Sequence, residues 1–180
     1  IVFDIEANGL NELVLNQKGD VFPEVSKVHC LVAIDIDTEE VKTFGPCEIE
    51  EGVELLRSAK LLVGHNIVSY DLPVLNRLYG NINCDVIDTL IVSRLMYPDK
   101  TQHPLGGNSL ACWGEHLGCS KIDYQGGWEA YSEEMLTYCV QDVKVNLEIY
   151  KHKCDFIEKN QKVVTFEHIL SQIIAEQTEN

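Results

Sequence analysis

Asp4 and Glu6, in the run FDIE, are two positions apart near the start of the chain. In an extended strand that period puts both carboxylates on one face, while Ile1, Phe3 and Ile5 turn the other way into a core. Acids emerging at the carboxyl end of a central strand stand where open α/β sheets place their ligands; a solvated edge strand would present the same pair. A third acid, Asp71, closes GHNIVSYD, after a short apolar run that ends at Gly64. It lies at the mouth of a helix, where a carboxylate can serve a ligand or only cap the N-terminus. His65, in the loop between, reads as a satisfied hydrogen-bonding residue. Tyr138 and Asp142 are four apart in YCVQD, so phenol and carboxylate share one helix face, as a surface hydrogen-bonded pair also would.

Taken together, the patterns say more than each does alone. Four carboxylates within about 4 to 6 Å repel by several kcal/mol per pair at an effective dielectric near 20, so bare acids would shift their pKa values or push the site apart. Two divalent cations would balance them. A donor set of hard oxygens, with no cysteine and no required histidine, specifies Mg²⁺ or Mn²⁺ over zinc. Two such ions suit phosphodiester hydrolysis, one preparing the attacking water and the other stabilising the leaving oxygen at roughly 3.5 to 4 Å separation. Tyr138 could then orient that water by hydrogen bonding, without ionising.

These residues need elements to hold them, and the chain is long enough to supply them. Its 180 residues are 45% hydrophobic and 24% charged, the composition of one globular domain and not of a disordered or fibrous chain. Residues 1 to 6 alternate as a strand, with a hairpin from Lys27 to Asp37 and Glu40 to Phe44 beside it. Helix-spaced apolars follow over Glu48 to Lys60, then a buried strand over Leu61 to Gly64 and a helix after Asp71 with Pro73 in its first turn. The pattern predicts a strand over Asn83 to Val86, helices over Thr89 to Met96 and Asn108 to Leu117, and a loop over Lys100 to Gly107. A long helix runs from about Ser132 to Glu158, with Val140, Val143 and Leu147 as its apolar stripe. A last helix begins near Val163, and Phe166, Ile169, Leu170, Ile173 and Ile174 form its stripe. A meander followed by alternating helix and strand is an α/β domain with one mixed sheet.

The charge and the cysteines narrow the partners. Fourteen bases against 29 acids leave a net charge of −15, with 13 acids and 5 bases in residues 1–60. Such a surface repels duplex DNA unless cations mediate. Lys100, Lys121 and Lys144 are isolated candidates for phosphate contacts, so binding by this piece alone should be weak and salt-sensitive. Seven scattered cysteines without a CxxC pair read as reduced thiols of a cytoplasmic protein. There is no apolar run long enough to cross a membrane and no secretory signal. The first residue, Ile1, already lies in a strand pattern, as expected of a piece cut from a longer chain.

FDIEANGL, HNIVSYD and YCVQD resemble, in order, the three motifs of DEDD-superfamily 3′–5′ exonucleases, in the subclass whose last motif reads Tyr-x-x-x-Asp. The stretches CDVIDTLIVSRLMYP, NSLACWGEHLG and YSEEMLTYCVQDV are similar to the proofreading domains of phage-type family A DNA polymerases, and the likeness extends over nearly the whole chain. The resemblance implies a ribonuclease H-like fold, a five-stranded mixed sheet with its second strand antiparallel, flanked by helices. It implies that Asp4, Glu6 and Asp142 bind one of two Mg²⁺ or Mn²⁺ ions, that Asp4 bridges to the second, that Asp71 holds that second ion largely through water, and that Tyr138 positions the nucleophile. Leu10 matches a wedge against the terminal base. Asn66 and Tyr70 match contacts to the last nucleotides of a single strand, and Tyr124 is a further candidate for stacking on a base. Asn66 precedes Asp71 by five positions, as in the phage branch, where bacterial repair-type relatives have four.

The resemblance also implies the organisation and partners: an exonuclease domain over 1–160, and a helix over 161–180 leading to a covalently linked polymerase domain. The domain itself would be monomeric, with a single-stranded DNA 3′ end as its substrate. A ribonuclease D-like exoribonuclease uses the same residues, and a catalytically silent scaffold would keep the fold. A calcium module is disfavoured, because no 12-residue loop with ligands at alternate positions is present.

Overall fold

The computed structural model describes the chain except for residues 10–13, 16–20, 23, 99–105 and 179–180. Strand β1 (Val2–Ala7) is central, with apolar residues on both faces and only Asp4 half-buried along its length. A short ribbon of β2 (Val14–Leu15) and β3 (Val21–Phe22) follows. Then β4 (Val28–Ile34), buried throughout, runs antiparallel to β1, and β5 (Val41–Phe44) forms the exposed edge. Helix α1 (Ile49–Ser58) leads to β6 (Leu61–Gly64), parallel to β1, and α2 (Asp71–Tyr79) leads to β7 (Asp85–Asp88), parallel to β6. The main sheet therefore has the order β5-β4-β1-β6-β7. It is a five-stranded mixed sheet in which β4, the second of its strands in chain order, opposes the rest, as a ribonuclease H-like fold requires.

The remaining helices are α3 (Thr89–Met96), α4 (Leu110–Leu117), α5 (Glu133–Lys159) and α6 (Gln161–Thr178). Each face of the sheet has its own core, as the two-residue strand period dictates. Phe3, Ile5, Leu31 and Leu62 meet Val53 and Leu56 of α1 and Val74 and Leu75 of α2. On the opposite face Val2, Cys30, Val32 and Val63 meet Met135, Cys139, Val143 and Leu147 of α5. Asp4 and Glu6 project on this second side. Val143 and Leu147 thus bury as the helical stripe predicts, while Val140 is only half-buried.

Two elements differ from the sequence reading. The strand expected over Asn83 to Val86 lies at Asp85–Asp88, because parallel pairing matches Leu61 to Asp85 and Gly64 to Asp88 and so sets its register. In α6 the stripe faces out: Phe166 is 62% exposed, whereas Val164 and His168 turn inward. Of the loop read at Lys100 to Gly107, all but its last two residues lie outside the described residues. No helix among the described residues is long and apolar enough to cross a membrane.

Candidate active site

Strand β1 carries Asp4 and Glu6 to the face covered by α5, opposite Val32 and Cys30 of β4. Asp71 is the first residue of α2 and not its cap. The cap position belongs to Tyr70, and the buried Asp71 carboxylate accepts the amide of Ile5 at 3.2 Å as well as its own backbone N–H. A side-chain hydrogen bond joins it to Asp4. Asp142 enters from α5, only 4% exposed. Its Oδ2 is 2.6 Å from the Lys121 Nζ, and its Oδ1 is buried with no hydrogen-bond partner. Tyr138, one turn earlier, accepts a hydrogen bond from Lys121 at 2.8 Å and donates one to Asp142. The structure thus gathers Asp4, Glu6, Asp71, Tyr138 and Asp142 at one place.

The electrostatics are those of a closely packed acid cluster. Burial, followed by the charges of Asp71, Glu6 and Asp142, holds the Asp4 carboxyl well above the ordinary carboxylate range. Burial with Cys30, Asp142 and Asp71 nearby pushes Glu6 to about 9. Burial also raises Asp71, to about 7, against the hydrogen bond from Ile5. Asp142 is raised by burial even though Lys121 pulls it down. Acids buried this way keep their protons unless a cation arrives, and one ammonium cannot compensate four of them. Asp4, Glu6 and Cys139 each offer a ligand atom, all within 4.8 Å of one another. With the orphaned Asp142 oxygen, the donor set fits a divalent cation.

The residues matched to substrate contacts are less uniform. Tyr70 lies beside the acids: burial and the charges of Asp71, Glu6 and Asp4 raise its phenol, which donates to the Gly9 carbonyl at 2.6 Å. Asn66 is exposed on the turn before α2, in a left-handed conformation with φ 70° that asparagine tolerates. Tyr124 joins an aromatic group, its ring centroid 5.6 Å from Tyr138 and 4.9 Å from Trp128, which is 43% exposed. Leu10 lies outside the described residues.

Three neighbours of the site were not assigned to it from sequence. Lys121, read as an isolated candidate for a phosphate contact, is its ammonium, bound to Asp142 and Tyr138. Its hydrogen bonds to Asp142 and Tyr138 outweigh burial and raise its pKa. Cys139, read as one of seven scattered reduced thiols, lies against Asp4. Asp88, 1% exposed, is the N-cap of α3 and also accepts the amides of Asn66 at 2.9 Å and Val68 at 3.1 Å, so it fixes the turn that presents Asp71. Neither its capping role nor its reach back across 20 and 22 residues was read from the sequence. Gly64 is required where that turn begins, because a Cβ there would collide with Ile67. His65 is held by Thr89 at 2.8 Å and kept neutral, mainly by burial.

No protein-family model matches the chain. It is 29% identical over 189 residues to the DNA-directed DNA polymerase of Escherichia phage T7, an alignment covering 81% of this chain and 25% of the polymerase. The chain therefore spans about a quarter of the length of that curated relative. Among solved structures, Brucella melitensis NrnC with bound Mg²⁺ is similar with a TM-score of 0.56 at 20% identity, covering 96% of this chain and 83% of that one. The Escherichia coli exoribonuclease RNase D has a TM-score of 0.56 at 14% identity, covering 97% of this chain and 44% of that one. The chain is thus similar in sequence to a stretch of a phage DNA polymerase and shares its fold with these nucleases.

Proposed function

We propose that this domain removes nucleotides from single-stranded or frayed DNA 3′ ends as the editing module of a larger polymerase. In this reading Asp4, Glu6, Asp71 and Asp142 hold a pair of Mg²⁺ or Mn²⁺ ions. The observation that carries it is the convergence of the half-buried Asp4 with three buried acids, one with an unpartnered oxygen, beside Tyr138. DNA is favoured over RNA because the sequence kinship runs to a DNA polymerase, whereas likeness to the exoribonuclease is one of fold. Residues 1–160 would form the exonuclease unit and 161–180 the helix towards a polymerase domain. The outward apolar face of α6 supports that division.

When bound, the ion pair supplies Lewis-acid chemistry at the attacking and leaving oxygens. Asp4 and Glu6, fixed by the β1–β4 ladder, and Asp142, steered by Lys121, would hold one ion. Asp71, anchored to the Ile5 amide, would hold the other, with Asp4 shared by both. Burial raises the Tyr138 phenol above its ordinary range, so it stays protonated and orients the attacking water by a hydrogen bond, its own oxygen held by Lys121. Tyr124 and Trp128 offer aromatic surface beside Tyr138 on which bases of any sequence can stack. Tyr70, Asn66 and Leu10 complete the contacts to the last nucleotides.

Matched 5′-labelled DNA and RNA oligonucleotides, incubated with Mg²⁺, test the reading. Stepwise shortening of DNA from its 3′ end is expected, and Asp4→Ala combined with Glu6→Ala should abolish it while circular dichroism shows an unchanged fold. Preferential shortening of RNA would assign the ribonuclease D-like activity instead. No shortening of either strand would leave a silent scaffold.

A further inference from the structure

The sequence predicts an all-oxygen donor set, but the fold adds sulfur to it. Cys139 follows Tyr138 and precedes Asp142 by three positions, so α5 turns its thiol onto the sheet face where Asp4 emerges. Its Sγ lies 3.8 Å from Asp4 Oδ2 and 3.6 Å from the Asp4 carbonyl. A second thiol stands behind: Cys30 is the ladder partner of Glu6, and a side-chain hydrogen bond joins it to Cys139. Both cysteines are completely buried and free. A buried thiol is ordinarily a small apolar filler; this one shares its surroundings with two carboxylates and with the 4% exposed Asp142, whose Oδ1 has no hydrogen-bond partner.

We propose that Asp4, Glu6 and Cys139, with Cys30 behind them, form a site for a thiophilic divalent cation of the zinc or cadmium type, overlapping the place where hard ions would bind. Bond lengths of about 2.3 Å to sulfur and 2.0 to 2.2 Å to oxygen put tetrahedral donors roughly 3.3 to 3.8 Å apart. The three ligand atoms already lie within 4.8 Å of one another, so small side-chain rotations close the shell. On binding, the Cys139 S–H bond breaks, its proton leaves to water, and a metal–sulfur bond takes its place. Soft thiolate donors select such ions over Mg²⁺. Because the ion occupies Asp4 and Glu6, it competes with the hard pair. The inference uses the same acids as the exonuclease reading without depending on that activity.

The test is a titration of the metal-free 180-residue chain with Cd²⁺ in a phosphine reductant, following the ultraviolet cadmium–thiolate charge-transfer band. The wild-type protein should give a saturable band that excess Mg²⁺ suppresses. Cys139→Ser should weaken Cd²⁺ binding about ten- to a hundredfold, the scale on which disturbing a metal's supporting residues acts. Asp4→Asn with Glu6→Gln should weaken it comparably while every cysteine remains, which separates this site from the exposed Cys47. Unaltered affinity in either variant overturns the proposal, and if Cys139→Ser fails to fold, the carboxylate variant decides alone. Nucleotide release with Mg²⁺ is measured on the same wild-type sample. Release without a Cys139-dependent band sinks only this inference, and the band without release sinks only the exonuclease reading.

Discussion

Helix α5 carries two buried charged centres of opposite sign. Near its start, Asp142 joins Asp4, Glu6 and Asp71 around a single ammonium. Further along, Lys153 is 0% exposed, and among the described residues no carboxylate pairs with it. Its Nζ sits 3.3 Å from the Trp113 ring centroid and 3.8 Å from the Met96 sulfur. The lysine is provided for internally: an aromatic face meets it, and burial lowers its pKa to about 7, so it can shed its charge. The acid centre has no such provision, since protonation there silences the carboxylates that would do chemistry. One helix thus shows how a buried charge that only needs a place differs from a set that needs a ligand.

The largest expected effect separates the two centres by activity. Asp4→Asn with Glu6→Gln should cut nucleotide release by on the order of a thousandfold, comparable with losing a principal source of transition-state stabilisation, and should raise the melting temperature of the metal-free protein. Activity retained in that variant would erase the contrast. Tyr138→Phe should slow release by about a hundredfold. Lys121→Met should approach the same loss, and the double variant should lose little more, because the lysine acts through the phenol it holds. Additive losses would make Lys121 independent of Tyr138.

Stability against pH sharpens the contrast further. Glu6 stands at about 9 in the folded chain against 4.5 when unperturbed, and Asp71 at about 7 against 3.8. Over that interval the folded state keeps protons that the unfolded state has released, so their contribution is full below the unperturbed values and is lost as pH rises through the raised ones. Lys153 runs the other way: at about 7 against 10.5, its contribution grows as pH rises across that window. The acids outnumber the lysine, so the melting temperature of the metal-free protein should fall between pH 5 and 9 and fall less with Mg²⁺ present. A rising curve would mean that Lys153 dominates. The smallest effect belongs to Lys153→Met, which should add about 1 to 2 kcal/mol in urea unfolding near neutral pH and leave release rates unchanged. A loss of stability would show that the ammonium–indole contact outweighs its desolvation.

Much of the site was legible because its signals are local. The alternation in FDIE pairs two acids on a strand face, and the four-residue interval from Tyr138 to Asp142 pairs a phenol with a carboxylate on a helix. The helix from Thr89 and the long helix from about Ser132 were readable from sequence, and the structure caps them with Asp88 and Ser132. Other features carry no local signature. Lys121 looks like any surface lysine until its segment folds over α5. The stripe on α6 has the spacing of a core face, yet Val164 and His168 are what this chain buries. The strand before α3 is displaced because its register comes from pairing with β6.

The amino-acid order therefore determined most of the elements, the apolar faces of the helices before α6, and which four acids and tyrosine are candidates, since strand and helix periods are short-range properties of the backbone. Tertiary structure alone decided that Lys121 neutralises Asp142, that Asp88 secures the turn before Asp71, and that a sulfur stands among the oxygens. Each of these is a contact between residues about 20 to 135 positions apart, and closure over such distances is imposed by packing the whole domain, which no local pattern records.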